Sequence, residues 1–169
     1  AATLDDLAGI AAIYNQLWCN TLRNRGDVEA ADFCARFNIA MQLQRSPIAL
    51  VAEAEGRIIA ACCIGIFEDG KPRTNPTWVP CYDEMFAQAT EMAKTADAKL
   101  EGSLFGDSRE KATADRFAAT GDEYAQGQLN LIIIVPEWQG TRPRAHRPCA
   151  RRTRQSRVHQ VLPDERLQL

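Results

Sequence analysis

The segment LNLIIIV at residues 129–135, closed by Pro136, constrains the fold more than any other stretch of the chain. Ile132, Ile133, Ile134 and Val135 carry β-branched side chains, which lose rotamer freedom in a helix and pack well on a pleated surface. Apolar residues at both parities mean that both faces of the segment are covered, so it reads as a buried central strand. Such a strand has to find partners elsewhere in the chain.

Two apolar runs are suited to that. IALVAEA (48–54) and IIAACCIGIF (58–67) flank the turn-like Glu55-Gly56-Arg57 and predict an antiparallel hairpin. Glu68 to Pro72 follow with loop chemistry. Before the hairpin, Leu7, Ile10, Ala11, Tyr14, Leu17 and Trp18 recur at helical steps and predict a helix over 5–22, with Thr3, Asp5 and Asp6 placed to cap its start. A second helix is expected over 27–45, on Ala30, Phe33, Phe37, Ala40 and Met41 with Ile39 or Leu43, ended by Ser46-Pro47. Between hairpin and final strand, residues 76–120 have helical composition: Met85, Phe86, Ala89, Met92 and Ala93 share one face, and a further helix is expected over 108–119.

The 169 residues, 46% hydrophobic, fit one domain with a core. No stretch reaches the roughly 20 apolar residues of a membrane helix, and the first residues carry no basic and apolar leader pattern, so a cytoplasmic protein without a membrane partner is expected. The six cysteines form no Cys-x-x-Cys pair and have no His at ligand spacing, so no metal is expected. Adjacent Cys62 and Cys63 read as small buried hydrophobes.

The order of helices, hairpin and strand, with Thr3-Leu4-Asp5-Asp6-Leu7 at the start and LNLIIIVPEWQG at 129–140, resembles the GNAT superfamily of acetyl-CoA-dependent N-acetyltransferases. The resemblance covers about residues 3–140, within a partial domain spanning 1–140, and implies an α/β (α+β) fold: a mixed central sheet with flanking helices, a helical insertion between the family's third and fourth strands, and an incomplete C-terminal part. The family's opening strand, expected before Thr3, is not in the sequence, which suggests that the chain starts slightly late.

In that family the fourth strand is splayed from its neighbour, so its backbone groups hydrogen-bond the pantetheine arm of acetyl-CoA and polarise the thioester carbonyl. By resemblance, Ile132, Ile134 and Val135 make those contacts, Gln139 and Gly140 open the pyrophosphate loop, and Tyr14 and Trp18 belong to the helix that shapes the acceptor pocket. The acceptor implied is an amine on a small molecule or peptide. No catalytic acid or base is assigned: no tyrosine follows Tyr124, and Glu123 and Glu137 read as solvated loop carboxylates.

After Gly140 the family pattern Gln/Arg-x-x-Gly-x-Gly/Ala is lost. Arg142 and Arg144 stand at the close-approach positions with Pro143 between them, so the amide nest is broken and the resemblance implies a transferase impaired in cofactor binding. Residues 1–140 hold 12 Lys plus Arg and 20 Asp plus Glu, a balance of −8, whereas 141–169 hold 8 Arg and 2 acids, a balance of +6. Residues 141–160 offer three apolar side chains, Ala145, Ala150 and Val158, or four with Cys149, too few to offset chain entropy in a packed element. Arginine codons of the CGN type, read one nucleotide downstream, permit glycine at 142 and 144, which points to a frameshifted tail. The alternative function is a noncatalytic protein that binds nucleic acid or another polyanion through this tail, a reading weakened by the absence of interleaved aromatics. A sheet with missing strands also leaves an exposed strand edge and predicts self-association, as a homodimer or by aggregation.

Overall fold

A computed structural model describes residues 1–69, 71–106, 112, 113, 116 and 126–140. The expected 141–169 tail and nearly all of the expected helix over 108–119 lie outside the described residues. The fold is a mixture of helices and antiparallel sheet, in the order α1 (Leu7–Trp18), α2 (Asn20–Asn24), α3 (Val28–Gln44), β1 (Ile48–Ala54), β2 (Arg57–Glu68), β3 (Lys71–Pro72), α4 (Val79–Ala93), α5 (Ala98–Phe105) and β4 (Gly127–Ile134).

A 3-10 turn, Leu4–Asp6, leads into α1, and the Asp6 carboxylate accepts hydrogen bonds from the N–H and hydroxyl of Thr3 at 2.7 and 2.9 Å. The helix expected over 5–22 is broken at Cys19. In an unbroken helix Trp18 and Leu22 would share one stripe. The break separates them: Leu22 is buried while Trp18 stays 53% exposed.

α3 is more enclosed than an amphipathic surface helix. From Phe33 to Leu43 every residue except Arg36 is buried, because α1 and α2 pack on α3 as well as α4 and α5. Asn38 is tolerated inside since its amide donates to the Cys34 and Ser103 carbonyls at 2.8 and 2.9 Å. Phe37 sits at the centre, with ring centroids 6.0 Å from Tyr82 and Phe105 and 6.3 Å from Phe33 and Phe86, so it joins α3 to both α4 and α5.

β1 and β2 form the expected hairpin, turning on Glu55 and Gly56 with φ of 54° and 77°. β2 is central: β1 pairs with it on one side and β4 on the other, all antiparallel, and β3 adds a short second hairpin where a loop was expected. Ala49, Ala61, Cys63 and Ile133 face the helices and are buried. On the opposite face Ile48, Leu50, Leu129 and Ile132 are exposed, so among the described residues that face is open and β4, expected as a buried central strand covered on both faces, is covered on one face only and pairs only with β2. Among the described residues no helix is long and apolar enough to cross a membrane.

Candidate functional site

Antiparallel strands alternate residues whose backbone groups point to the neighbour with residues whose groups point away. The Val135 N–H donates to the Ile59 carbonyl at 2.9 Å, which fixes the phase at the end of β4. Counting back through the register, in which Ala60 opposes Ile134 and Cys62 opposes Ile132, Ile133 points to β2 while Ile134 and Ile132 point to the outer edge. Of the three residues expected to contact a thioester through their backbone, two therefore present their groups outward. Val135 commits its N–H to β2 and buries its side chain.

The turn after β4 folds back on this edge. Pro136–Trp138 form a 3-10 turn, closed by the Trp138 N–H donating to the Val135 carbonyl at 2.9 Å. Gln139 then directs its Nε2 onto the Ile134 carbonyl at 2.9 Å. Among the described residues, the outward groups remaining on this pair are the Ile132 N–H and C=O and the Ile134 N–H. Gly140 follows with φ of 70°, in the left-handed region where glycine costs least.

Glu137 pairs with Arg57 at 3.0 Å and ties this turn to the start of β2. Its own backbone N–H, and then Arg57, hold its carboxyl below the usual range, which makes it a weaker base than an ordinary glutamate. Glu123 lies outside the described residues.

Tyr14 and Trp18 stack in a tilted pair on α1, with centroids 4.8 Å apart. Tyr14 packs against the core and Trp18 is largely exposed. α1 packs on β2 and touches β4, with Gly9 against the Ile58 side chain. The aromatic pair lies roughly 8 to 14 Å farther along the helix, at 1.5 Å per residue.

Two contributions escaped the sequence reading. Gln139 acts on β4 through its side chain, and Asn130 interrupts the β4 ladder. The signal for the second was present as the one polar residue inside LNLIIIV.

Among the described residues no group of His, Cys, Asp and Glu is arranged to hold a metal. Cys19, Cys34, Cys62, Cys63 and Cys81 are free thiols. Burial pushes the Cys34 and Cys63 thiols up to about 12, whereas Cys62 is half-buried on the open face. Iodoacetamide at mildly basic pH is expected to label Cys62 in the folded chain and to reach Cys34 and Cys63 only after denaturation, as read by peptide mass spectrometry. The raised values also set a direction for stability. The contribution of these two thiols is full below the ordinary value of 9.0 and is lost as pH rises towards about 12, so melting temperature is expected to fall through that window.

Comparison of the chain with protein-family models, with curated proteins and with solved structures gives no match.

Proposed function

We propose that this chain is a GNAT-like N-acetyltransferase that binds acetyl-CoA along the outer edge of β4 and acetylates an amine on a small molecule or peptide in the cytoplasm. One observation carries the reading: Ile132 and Ile134 direct backbone groups away from β2, at the strand where the resemblance puts the thioester. An N–H aimed at a thioester carbonyl polarises it and stabilises the oxyanion that forms when an amine attacks. The positive φ of Gly140 suits the start of a phosphate loop, and the free thiols of the five cysteines among the described residues suit a reducing compartment. Arg142 and Arg144 stand at the close-approach positions of that loop with Pro143 between them, so binding is weakened and turnover is slow or absent.

Calorimetry with acetyl-CoA, beside a salt series with duplex DNA, tests the reading. Saturable acetyl-CoA binding supports it. Steeply salt-dependent DNA binding without an acetyl-CoA signal would replace it with polyanion binding by the arginine-rich tail.

The same edge supports self-association. β4 carries no charge and no proline, the features that usually block pairing between edge strands, and its own Leu129 and Ile132 are 57% and 59% exposed. Sedimentation velocity is expected to show a reversible homodimer, and a monomer at every concentration would count against it.

A further inference from the structure

The outward position of Ile132 and Ile134 is not a property of the apolar run itself, because Leu131, Ile132, Ile133 and Ile134 would satisfy either phase. What selects the phase is a bulge. Leu131 opposes Cys63 and Leu129 opposes Ile64, so Asn130 is an extra residue with no partner on β2. If Asn130 joined the ladder opposite Cys63, each residue after it would move one place, and Leu131 and Ile133 would become the outward pair.

Asn130 is held out of the ladder by its side chain. Its Nδ2 donates to the Arg45 carbonyl at 3.2 Å and to the Ser46 hydroxyl at 2.9 Å, at the corner between α3 and β1. Ser46 is fully buried, so its hydroxyl has little recourse to water if Asn130 lets go. Gly65 makes room for this arrangement: a Cβ there would stand 2.8 Å from the same Nδ2. The corner is braced from a third direction by Asn75, whose N–H donates to the Gln44 carbonyl at 2.7 Å and whose side chain donates to the Ser46 carbonyl at 3.2 Å.

We infer that Asn130, anchored on Arg45 and Ser46 across the Cβ-free Gly65, is a positioning residue that sets the phase of β4 and thereby turns Ile132 and Ile134 outward. Its meaning for acetyl-CoA rests on the reading proposed above, whereas its control of the register does not.

The experiment compares Asn130→Ala with Asn75→Ala in the isotopically labelled full chain. Non-hydrogen-bonded antiparallel pairs bring Hα atoms together, so the native chain shows Hα–Hα cross-peaks for Cys62 with Ile132 and for Ala60 with Ile134. In Asn130→Ala these are expected to weaken, with new cross-peaks from Cys62 to Leu131 and from Ala60 to Ile133, and the dissociation constant for acetyl-CoA is expected to rise at least about tenfold. Asn75→Ala loosens the same corner without touching β4, and is expected to keep both native cross-peaks and to change the affinity less than about twofold. Ser46→Ala removes one of the two acceptors and serves as the milder variant should Asn130→Ala not fold, with the same changes at smaller amplitude.

Native cross-peaks retained in Asn130→Ala, or in Ser46→Ala where that variant is used, would overturn the inference. A native chain that ignores acetyl-CoA while Asn130→Ala still shifts the cross-peaks would sink the functional reading and leave the register control standing.

Discussion

Replacing Phe37 by alanine is expected to cost about 4 kcal/mol of folding stability, the usual range for emptying a buried phenylalanine site. The side chain is 1% exposed and meets rings from α3, α4 and α5. Two of those contacts, Tyr82 at a 10° interplanar angle and Phe105 at 78°, are an offset stack and an edge-to-face pair, which add to simple burial. Single domains hold about 5 to 15 kcal/mol in total, so a loss of this size removes a large part of it. At about 2 to 4 °C per kcal/mol for a chain of this length, the melting temperature is expected to drop by roughly 10 °C or more. Phe86→Ala is the contrast, since Phe86 touches the same cluster but is 44% exposed, and about a third of that loss is expected. Urea unfolding followed by circular dichroism measures both. If Phe37→Ala unfolds at the native midpoint, α4 and α5 are not part of the cooperative core.

The elements read correctly from the sequence are those in which one physical signal dominates. The hairpin at 48–67 combines apolar runs with a turn whose glycine adopts positive φ, and the bounds of α3 follow from Asp27 before it and Ser46-Pro47 after it. The failures have a different character. Residues 5–22 keep helical spacing through Cys19, yet the helix breaks there and Leu22 is buried where α2 packs on α3; that is a tertiary feature that periodicity does not carry. α5 falls inside the 76–120 stretch expected to be helical but is not singled out there, although its start is local: Asp97 accepts hydrogen bonds from the Lys99 and Leu100 amides, and Leu104 lies one turn after Leu100. Its short length, Ala98–Phe105, gives few apolar repeats to count. The sequence predicts a loop at β3 because Pro72 and the polar residues around it suit a turn, and pairing with Phe67 and Glu68 is a property of the sheet.

The candidate site divides in the same way. That residues 129–135 make a strand is legible in their side chains; which of their amides face outward is not, because the five consecutive apolar residues 131–135 carry no parity. The phase comes from Asn130 and from contacts some 85 positions away in the chain. Val135 shows the consequence: its resemblance-based role and its observed commitment to Ile59 differ by one residue of phase.

Proline exchanged at neighbouring positions of β4 is expected to give opposite results. Proline removes the backbone donor and fixes φ near −65°, so it is tolerated in an edge strand only where the N–H points away from the partner. Ile132 satisfies that condition and is 59% exposed, so Ile132→Pro is expected to fold with a melting temperature within a few degrees of the native chain. Ile133 does not: its N–H points to β2 opposite Ala61 and its side chain is 2% exposed, so Ile133→Pro loses a ladder bond and core packing together and is expected to unfold. The functional consequence falls on the variant that folds. With the donor at 132 replaced by a ring on the outer edge, acetyl-CoA loses a hydrogen bond and the space along the strand, and its dissociation constant is expected to rise about tenfold or more. Two melting curves and one titration settle the pair. Equal stability of the two proline variants would mean that the inward and outward assignment is reversed or absent; native affinity in Ile132→Pro would mean that acetyl-CoA, where it binds, does not lie along β4.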